Sequence, residues 1–213
     1  MAKIVPGILT LDEQDYQNRL KIAEHVTDLI QIDLVDGIFS KNKTVGVEVI
    51  KKFSTSASLE VQLMVDKPSG FIKDMENIDY VSRIIFPYES SEDVNSNIYA
   101  VKKSRKQIGV SLNPGTDIGK VLKFADDIDL LLLMTGKPGY SGQKLGGDTY
   151  TRIAEAKNLM PSLALEIDIG VNFENAKRLA GADADFLVAS SALYGADDFR
   201  TAFEKLSKLA SNT

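Results

Sequence analysis

Short apolar runs alternate with amphipathic segments along the whole chain, and this pattern predicts strands separated by helices. Between the runs, apolar residues recur at helical spacing, as Phe199, Phe203, Leu206 and Ala210 do in the last segment. Because eight strand–helix units follow one another without a linker, we expect one domain, residues 1–213, with the α/β fold of a (β/α)8 TIM barrel. The predicted strands span residues 4–9, 29–34, 59–65, 80–86, 107–112, 129–134, 163–168 and 185–189.

An open, doubly wound sheet is the alternative arrangement of the same units. A dinucleotide-binding sheet of that kind carries the motif G-x-G-x-x-G after its first strand. The turn after the first predicted strand lacks this motif. The closed barrel is therefore the preferred prediction.

Local signals predict where several helices lie. Thr10 and Glu13 have the spacing of a capping box, which predicts that the first helix begins at Thr10. Residues 117–124 are expected to be helical, and the last helix is expected to follow Gly195. The single histidine, His25, falls at the end of the first helix, so we expect a surface side chain there.

The second strand carries polar side chains on one face only. Gln31 and Asp33 alternate with Ile32 and Leu34, and successive side chains of a strand point to opposite faces. Taken alone, this pattern is more typical of a strand with one solvated face. In a parallel barrel covered by helices, however, the polar face points into the barrel, where unpaired polar groups are costly.

The predicted strand ends place many polar side chains in one ring. Active sites of (β/α)8 barrels lie at the carboxyl ends of the strands. Polar residues also share one face on the third and seventh strands, which is difficult to explain by packing alone. The predicted ring consists of Gly7, Gln31, Asp33, Gln62, Met64, Asn113, Met134, Asp168, Ser190 and Ser191.

The last three strand–helix loops are typical of an anion site. Backbone N–H groups of glycine-rich loops bind phosphate, and barrels often place phosphate after strands 7 and 8. Each glycine alone is also compatible with a tight turn, but three adjacent loops favour phosphate. The residues concerned are Gly139, Tyr140, Ser141, Gly142, Gly170, Ser190 and Ser191.

Composition excludes several classes of function. The net charge is −5, so no basic surface indicates nucleic acid. Cysteine is absent, which excludes disulfides and thiolate chemistry, and one histidine cannot form a two-histidine site. The longest apolar run, residues 130–134, is too short for a membrane span, and the N-terminal residues lack a signal-like segment, so a cytoplasmic protein is expected. A homo-oligomer remains open.

Eight short segments between residue 4 and about residue 198 carry a resemblance to a known family. They are IDLVDG (32–37), NKTVG (42–46), LMV (63–65), LNPGT (112–116), LLM (132–134), PGYSGQK (138–144), DIGV (168–171) and VASSA (188–192). In their order and spacing the chain resembles the ribulose-phosphate 3-epimerase family. The resemblance implies a TIM barrel that binds a small sugar phosphate.

The resemblance also implies a mechanism and a cofactor. Asp33 and Asp168 match two aspartates that remove and return the C3 proton of a ketopentose 5-phosphate through an enediolate. The family usually holds a divalent metal with these aspartates and two histidines, but Gln31 and Gln62 stand at the histidine positions. A metal bound by Gln31, Asp33, Gln62 and Asp168 is therefore expected to be weak or absent.

Three further departures from the family pattern fall in the predicted site. Gly7 stands where the family has a substrate-contacting serine, and Ile169 stands where it has a glycine. Ser190-Ser191 stands where the family ends its eighth strand with Gly-Ser. Three hypotheses follow: a sugar-phosphate epimerase, a non-catalytic phosphosugar-binding protein descended from one, and an aldol or decarboxylation reaction. The last would need an inward lysine for Schiff-base chemistry, and Lys137 is the nearby candidate.

Overall fold

The computed structural model describes residues 1–211, in which eight parallel strands close into one barrel. The strands pair in chain order, and the first pairs with the eighth, so the predicted (β/α)8 fold is confirmed. Asn212 and Thr213, which the predicted domain includes, lie outside the described residues. The strands are β1 (Lys3–Ile8), β2 (Leu29–Val35), β3 (Ser58–Met64), β4 (Val81–Pro87), β5 (Gln107–Leu112), β6 (Leu130–Met134), β7 (Ala164–Asp168) and β8 (Phe186–Ala189).

Helices connect the strands around the outside of the barrel. The connection between β5 and β6 differs from the prediction, because residues 117–124 form two short 3₁₀ turns, Ile118–Lys120 and Leu122–Phe124. The Asp117 side chain accepts from the Gly119 N–H at 2.7 Å, a local bond that competes with an α-helix. The helices are α1 (Glu13–Glu24), α2 (Val47–Lys52), α3 (Pro68–Asp74), α4 (Val94–Lys103), α5 (Thr149–Leu159), α6 (Ala176–Gly181), α7 (Ser191–Tyr194) and α8 (Phe199–Ser211).

The capping box predicted at the start of α1 was wrong. Asp12 is the N-cap, and its Oδ1 accepts from the Asp15 N–H at 2.7 Å. Thr10 instead accepts from the Asp12 N–H at 3.2 Å, outside the helix. Aspartate is a better N-cap than threonine, so Asp12 caps the helix and α1 begins at Glu13.

The closed sheet separates two apolar cores. The outer core packs strand residues such as Ile32 and Leu34 against helix residues such as Tyr16. The inner core contains side chains of the opposite parity, among them Met64 and Leu132. The polar residues of β2, β3 and β7 share this inner parity, so closure of the barrel directs them towards one another.

None of the helices within residues 1–211 combines the length and apolar character that crossing a bilayer demands.

Candidate active site

A small cavity lies at the carboxyl ends of the strands, where barrel enzymes place their active sites. Its volume is about 30 Å³, which is room for one or two water molecules. The loop between β6 and α5 covers it and is fastened to the loop after β2: Ser40 Oγ donates to the Pro138 carbonyl at 2.8 Å, and Asn42 Nδ2 donates to the Gly139 carbonyl at 2.6 Å. Both hydrogen bonds are partly buried, so they hold the loop over the cavity.

Two carboxyls from well-separated strands of the barrel line the cavity. Asp33 comes from β2 and Asp168 from β7, and their exposed fractions are 5% and 7%. Both side chains follow the inward parity of their strands. Carboxyls placed in this way can transfer protons to and from a molecule that lies between them.

Two buried glutamines lie beneath and between these carboxyls. Gln31 Nε2 donates to Asp33 Oδ1 at 2.8 Å and approaches Gln62 at 2.9 Å. With its amide oxygen towards Gln31, Gln62 directs its nitrogen at Met134 Sδ, 2.8 Å away. With the amide turned over, the nitrogen donates to Asp33 Oδ1 and Asp168 Oδ2, both at 3.0 Å, but it also faces the Gln31 nitrogen at 2.9 Å, which is another donor. The first orientation suits protonated carboxyls, which donate, and the second suits ionised ones, which accept.

Burial shifts the titration of both carboxyls upward. Desolvation, reinforced by the charge of Asp168, raises the pKa of Asp33 well above its usual range, against the opposing hydrogen bond from Gln31. Desolvation raises the pKa of Asp168 to about 7, although the hydrogen bond from the Ile169 N–H lowers it. Because the charge of Asp168 acts on Asp33, the two carboxyls titrate as a coupled pair.

The chain turns sharply just after Asp168. Ile169 and Gly170 both have positive φ angles, 77° and 78°. A β-branched residue rarely adopts this conformation, and here two hydrogen bonds hold it. The Ile169 N–H donates to Asp168 Oδ1 at 2.7 Å, and Thr135 Oγ1 donates to the Ile169 carbonyl at 2.6 Å. The strained turn therefore orients the Asp168 carboxyl.

A second buried ionisable cluster lies one layer deeper in the barrel. Arg83 Nη1 contacts Glu60 Oε2 at 2.6 Å and Glu166 Oε2 at 4.0 Å, and both glutamates are fully buried. The guanidinium also donates to Gln107 Oε1, at 2.8 Å from Nη2. Desolvation raises the pKa of Glu166 well above its usual range, with the Glu60 charge adding to the effect. This cluster supports the floor of the site but does not line the cavity.

The structure brings most of the predicted site residues together. Gly7 does not line the cavity; a side chain there would meet Val188 Cγ1 at 2.8 Å, so glycine allows β8 to pack closely. Gln31 and Gln62 are fully buried beneath the cavity. The predicted residues that line it are Asp33, Met64, Met134, Gly139, Tyr140, Ser141, Gly142, Asp168, Gly170, Ser190 and Ser191.

Some residues of the predicted ring are placed elsewhere. Asn113 does not line the cavity; its N–H donates to Glu89 and its carbonyl faces Arg152. The lysine considered for Schiff-base chemistry, Lys137, is exposed, and its Nζ lies 4.8 Å from the Tyr140 ring centre outside the cavity. His25 lies at the end of α1, at the opposite end of the barrel, as expected for a surface residue.

The apolar lining was missed by the search for polar residues. Leu9, Val171 and Val188 all line the cavity, and Ile169 joins the inner core there. Strand parity could have identified Val188, which lies two residues before Ser190 on the same face.

The side chains beneath the cavity do not fit a divalent metal. In residues 1–211 no group of three or more His, Cys, Asp or Glu side chains could hold one. Gln31 directs its N–H, not its oxygen, at Asp33, and the unpartnered Gln31 Oε1 lies on the other side of that amide. Two carboxylates with amide N–H groups between them are a poor donor set for zinc and similar ions.

Comparisons with known proteins identify the family of this chain. The model of the ribulose-phosphate 3 epimerase family matches residues 3–194. Ribulose-phosphate 3-epimerase of Bacillus subtilis (strain 168) is 34% identical over 215 residues, covering 97% of this chain and 98% of that protein. The enzyme of that name from Methanocaldococcus jannaschii is 32% identical, covering 99% of this chain and 92% of its own.

Solved structures share the fold at lower identity. KGPDC from Streptococcus mutans superposes with a TM-score of 0.79 at 12% identity, covering 99% of this chain and 97% of its own. The 3-hexulose-6-phosphate synthase from Salmonella typhimurium has a TM-score of 0.71 at 17% identity, with 98% of each chain covered.

Proposed function

This chain belongs to the ribulose-phosphate 3-epimerase family, and on that premise we propose that Asp33 and Asp168 invert C3 of a ketopentose 5-phosphate. Family membership makes the protein a sugar-phosphate epimerase, an enzyme of carbohydrate metabolism. The observation that carries the mechanism is the pair of buried carboxyls, from β2 and β7, that line one cavity. No cavity-lining lysine favours the aldol or decarboxylation alternative among the described residues.

Inversion requires one ionised and one protonated carboxyl. The ionised carboxylate removes the C3 proton from one face of the sugar, and the electron pair of the broken C–H bond forms the enediolate with the C2 carbonyl. The other carboxyl then gives its proton to C3 from the opposite face, and the C2 carbonyl re-forms. The raised pKa values of Asp33 and Asp168 support this division, since the pair can hold one proton near neutral pH.

The phosphate is proposed to bind at the glycine-rich side of the cavity. Gly142, Gly170, Ser190 and Ser191 line this side, and no lysine or arginine among the described residues lines the cavity. Backbone N–H groups and serine hydroxyls are then the donors for the phosphate oxygens. A ligand that is held here by its phosphate extends its carbon chain towards Asp33 and Asp168.

Solvent exchange at C3 tests the mechanism directly. Wild-type protein is expected to incorporate solvent deuterium at C3 of ketopentose 5-phosphates. Asp33→Asn and Asp168→Asn are each expected to lower the rate of epimerisation at C3 about 10²- to 10⁴-fold, because inversion needs both proton carriers. Each variant should exchange deuterium with only one of the two C3 epimers.

The matched control is Asp126→Asn, an exposed position on the 3₁₀ side of the barrel away from the cavity, which should exchange at the wild-type rate. Wild-type exchange that survives both active-site substitutions would contradict the assignment of Asp33 and Asp168. A wild-type protein that binds ketose phosphates but exchanges no deuterium would instead be the non-catalytic binding protein.

A further inference from the structure

Two glutamine side chains fill the space beneath the two carboxyls of the active site. Gln31 and Gln62 are each 0% exposed, and their amides approach to 2.9 Å. Gln31 Nε2 lies 2.8 Å from Asp33 Oδ1. One terminal atom of Gln62 lies 3.0 Å from Asp33 Oδ1 and 3.0 Å from Asp168 Oδ2. We call these four side chains the amide clasp; it connects β2 and β3 with β7.

The chemistry of an amide suits a pair of carboxyls that exchange a proton. A primary amide presents an acceptor and two donors on one planar group, so a half-turn changes which of them faces a carboxyl. Gln31 Nε2 donates to Asp33 Oδ1 and to the Gln62 oxygen, so it suits an ionised Asp33. The same Gln62 atom lies 3.0 Å from Asp168 Oδ2, where an oxygen accepts from a protonated carboxyl. The glutamines therefore offer a donor to an ionised carboxyl and an acceptor to a protonated one.

The same contacts oppose a metal ion. A divalent cation needs lone pairs directed at one point, whereas the Gln31 N–H is directed at Asp33. The chain's one imidazole, that of His25, lies at the far end of the barrel. Asp33 and Asp168 are then the only anionic groups that line the cavity within the described residues, and two carboxylates alone do not complete a zinc site.

We propose that the amide clasp takes the place of a divalent metal ion, so that the epimerase acts without one. Gln31 and Gln62 are positioning residues: they hold Asp33 and Asp168 in place by hydrogen bonds and do not touch the substrate, since neither lines the cavity. The catalytic half of this inference rests on the proposed function, whereas the metal-binding half concerns the protein itself.

Metal analysis tests the metal-binding half of the inference without any need for turnover. Protein produced in medium supplemented with zinc and manganese should retain well under one metal ion per chain, and titration with Zn²⁺ or Mn²⁺ in a calorimeter should show no stoichiometric site. The matched variant is Gln31→His with Gln62→His, whose two imidazoles join two carboxylates in a four-donor set and should capture about one zinc ion. Stoichiometric metal in the wild-type protein would overturn the inference.

Kinetics test the catalytic half of the inference. A chelator should leave the rate of wild-type exchange unchanged. Gln62→Met keeps the side-chain volume but removes the amide, and it should lower kcat about 10- to 100-fold. KM should stay within about twofold of the wild-type value, because a displaced carboxyl affects only the reacting step. The control is Gln14→Met on the exposed face of α1, expected to behave as wild type. Gln31→Met is the second variant if Gln62→Met does not fold.

The outcomes separate this inference from the proposed function. Loss of activity with a chelator and recovery with a divalent cation would overturn the inference while upholding the epimerase. A kcat that is unchanged in both glutamine variants would also overturn it. If wild-type protein exchanges no deuterium with or without metals, the proposed function fails, and the metal analysis still decides whether the clasp excludes a metal.

Discussion

At the scale of single residues, backbone strain lies immediately beside a proposed proton carrier. Ile169 has a φ of 77°, a conformation that costs about 1–3 kcal/mol in a residue other than glycine. The surrounding hydrogen bonds from Thr135 and to Asp168 hold it there. The turn thereby places a hydrogen-bond donor on Asp168 and an apolar side chain against the inner core.

Gly170 within this turn allows a sharp prediction. Its φ is 78°, and a Cβ at this position would lie 2.4 Å from the Leu145 backbone nitrogen. We expect Gly170→Ala to lower the free energy of unfolding by at least about 2 kcal/mol, because positive φ and a backbone clash add together. Urea unfolding measures this change.

Gly147→Ala is the matched control, since a Cβ added at Gly147 would have no atom within 4 Å and the residue has no positive φ. It should change stability by less than about 0.5 kcal/mol, as surface substitutions usually do. Equal stability of the two variants would mean that the turn after β7 is not held as described.

At the scale of elements, three adjacent strand ends form the proposed phosphate side of the cavity. The loops that follow β6, β7 and β8 contribute Gly142, Gly170 and Ser190 respectively. These elements are far apart in sequence and meet only because neighbouring strands of the barrel are parallel. The short helix α7, which begins at Ser191, was not predicted separately from the last helix.

A negative charge on this side of the cavity should oppose phosphate. Ser191 is exposed at the cavity rim, so Ser191→Asp is expected to leave stability unchanged and to raise KM for a ketose phosphate at least about tenfold through charge repulsion. The effect should weaken with added salt. Steady-state kinetics at two ionic strengths provide the measurement.

Ser162→Asp places the same charge on the exposed turn before β7, at the other end of the barrel. This control should keep the wild-type KM. If both variants have the wild-type KM, the phosphate does not bind beside Ser191.

At the scale of the whole molecule, the barrel interior buries more carboxyls than cations, which lowers stability. Asp33, Glu60, Glu166 and Asp168 are all buried there, and Arg83 is the one buried cation among the described residues. Burial of ionised carboxyls is costly, and their raised pKa values express that cost. The extensive outer core compensates for it.

Burial of Asp168 makes the free energy of unfolding depend on pH. The pKa of Asp168 is about 7 in the folded protein against 3.8 for an ordinary aspartate, so its favourable contribution to folding is complete below pH 3.8 and is lost as pH rises through 7. Asp168→Asn should therefore be more stable than wild type at pH 8, by up to about 4 kcal/mol, and less so at pH 5. Urea unfolding at both pH values checks this, with Asp126→Asn as the control.

The pattern of residues along the chain was enough to predict the fold and most residues of the candidate site. Eight apolar runs separated by amphipathic segments allow few architectures other than a closed barrel, since parallel strands need covered faces. Strand parity placed Gln31, Asp33 and Asp168 on the inward face, because side-chain alternation is a local property of the backbone. The helix start at Thr10 and the helix over 117–124 were wrong because capping and short helices depend on competing local hydrogen bonds.

Which of the ring residues meet, and how, depends on the three-dimensional packing of the strands. Gln31 and Gln62 lie beneath the cavity, while Asn113 lies away from it, because strand tilt and register determine the depth of each side chain. The hydrogen bond from Thr135 to the Ile169 carbonyl and the Gln62 contacts to both aspartates likewise depend on groups from different strand–helix units. Such contacts join residues far apart in sequence, so no local pattern of residues could have specified them.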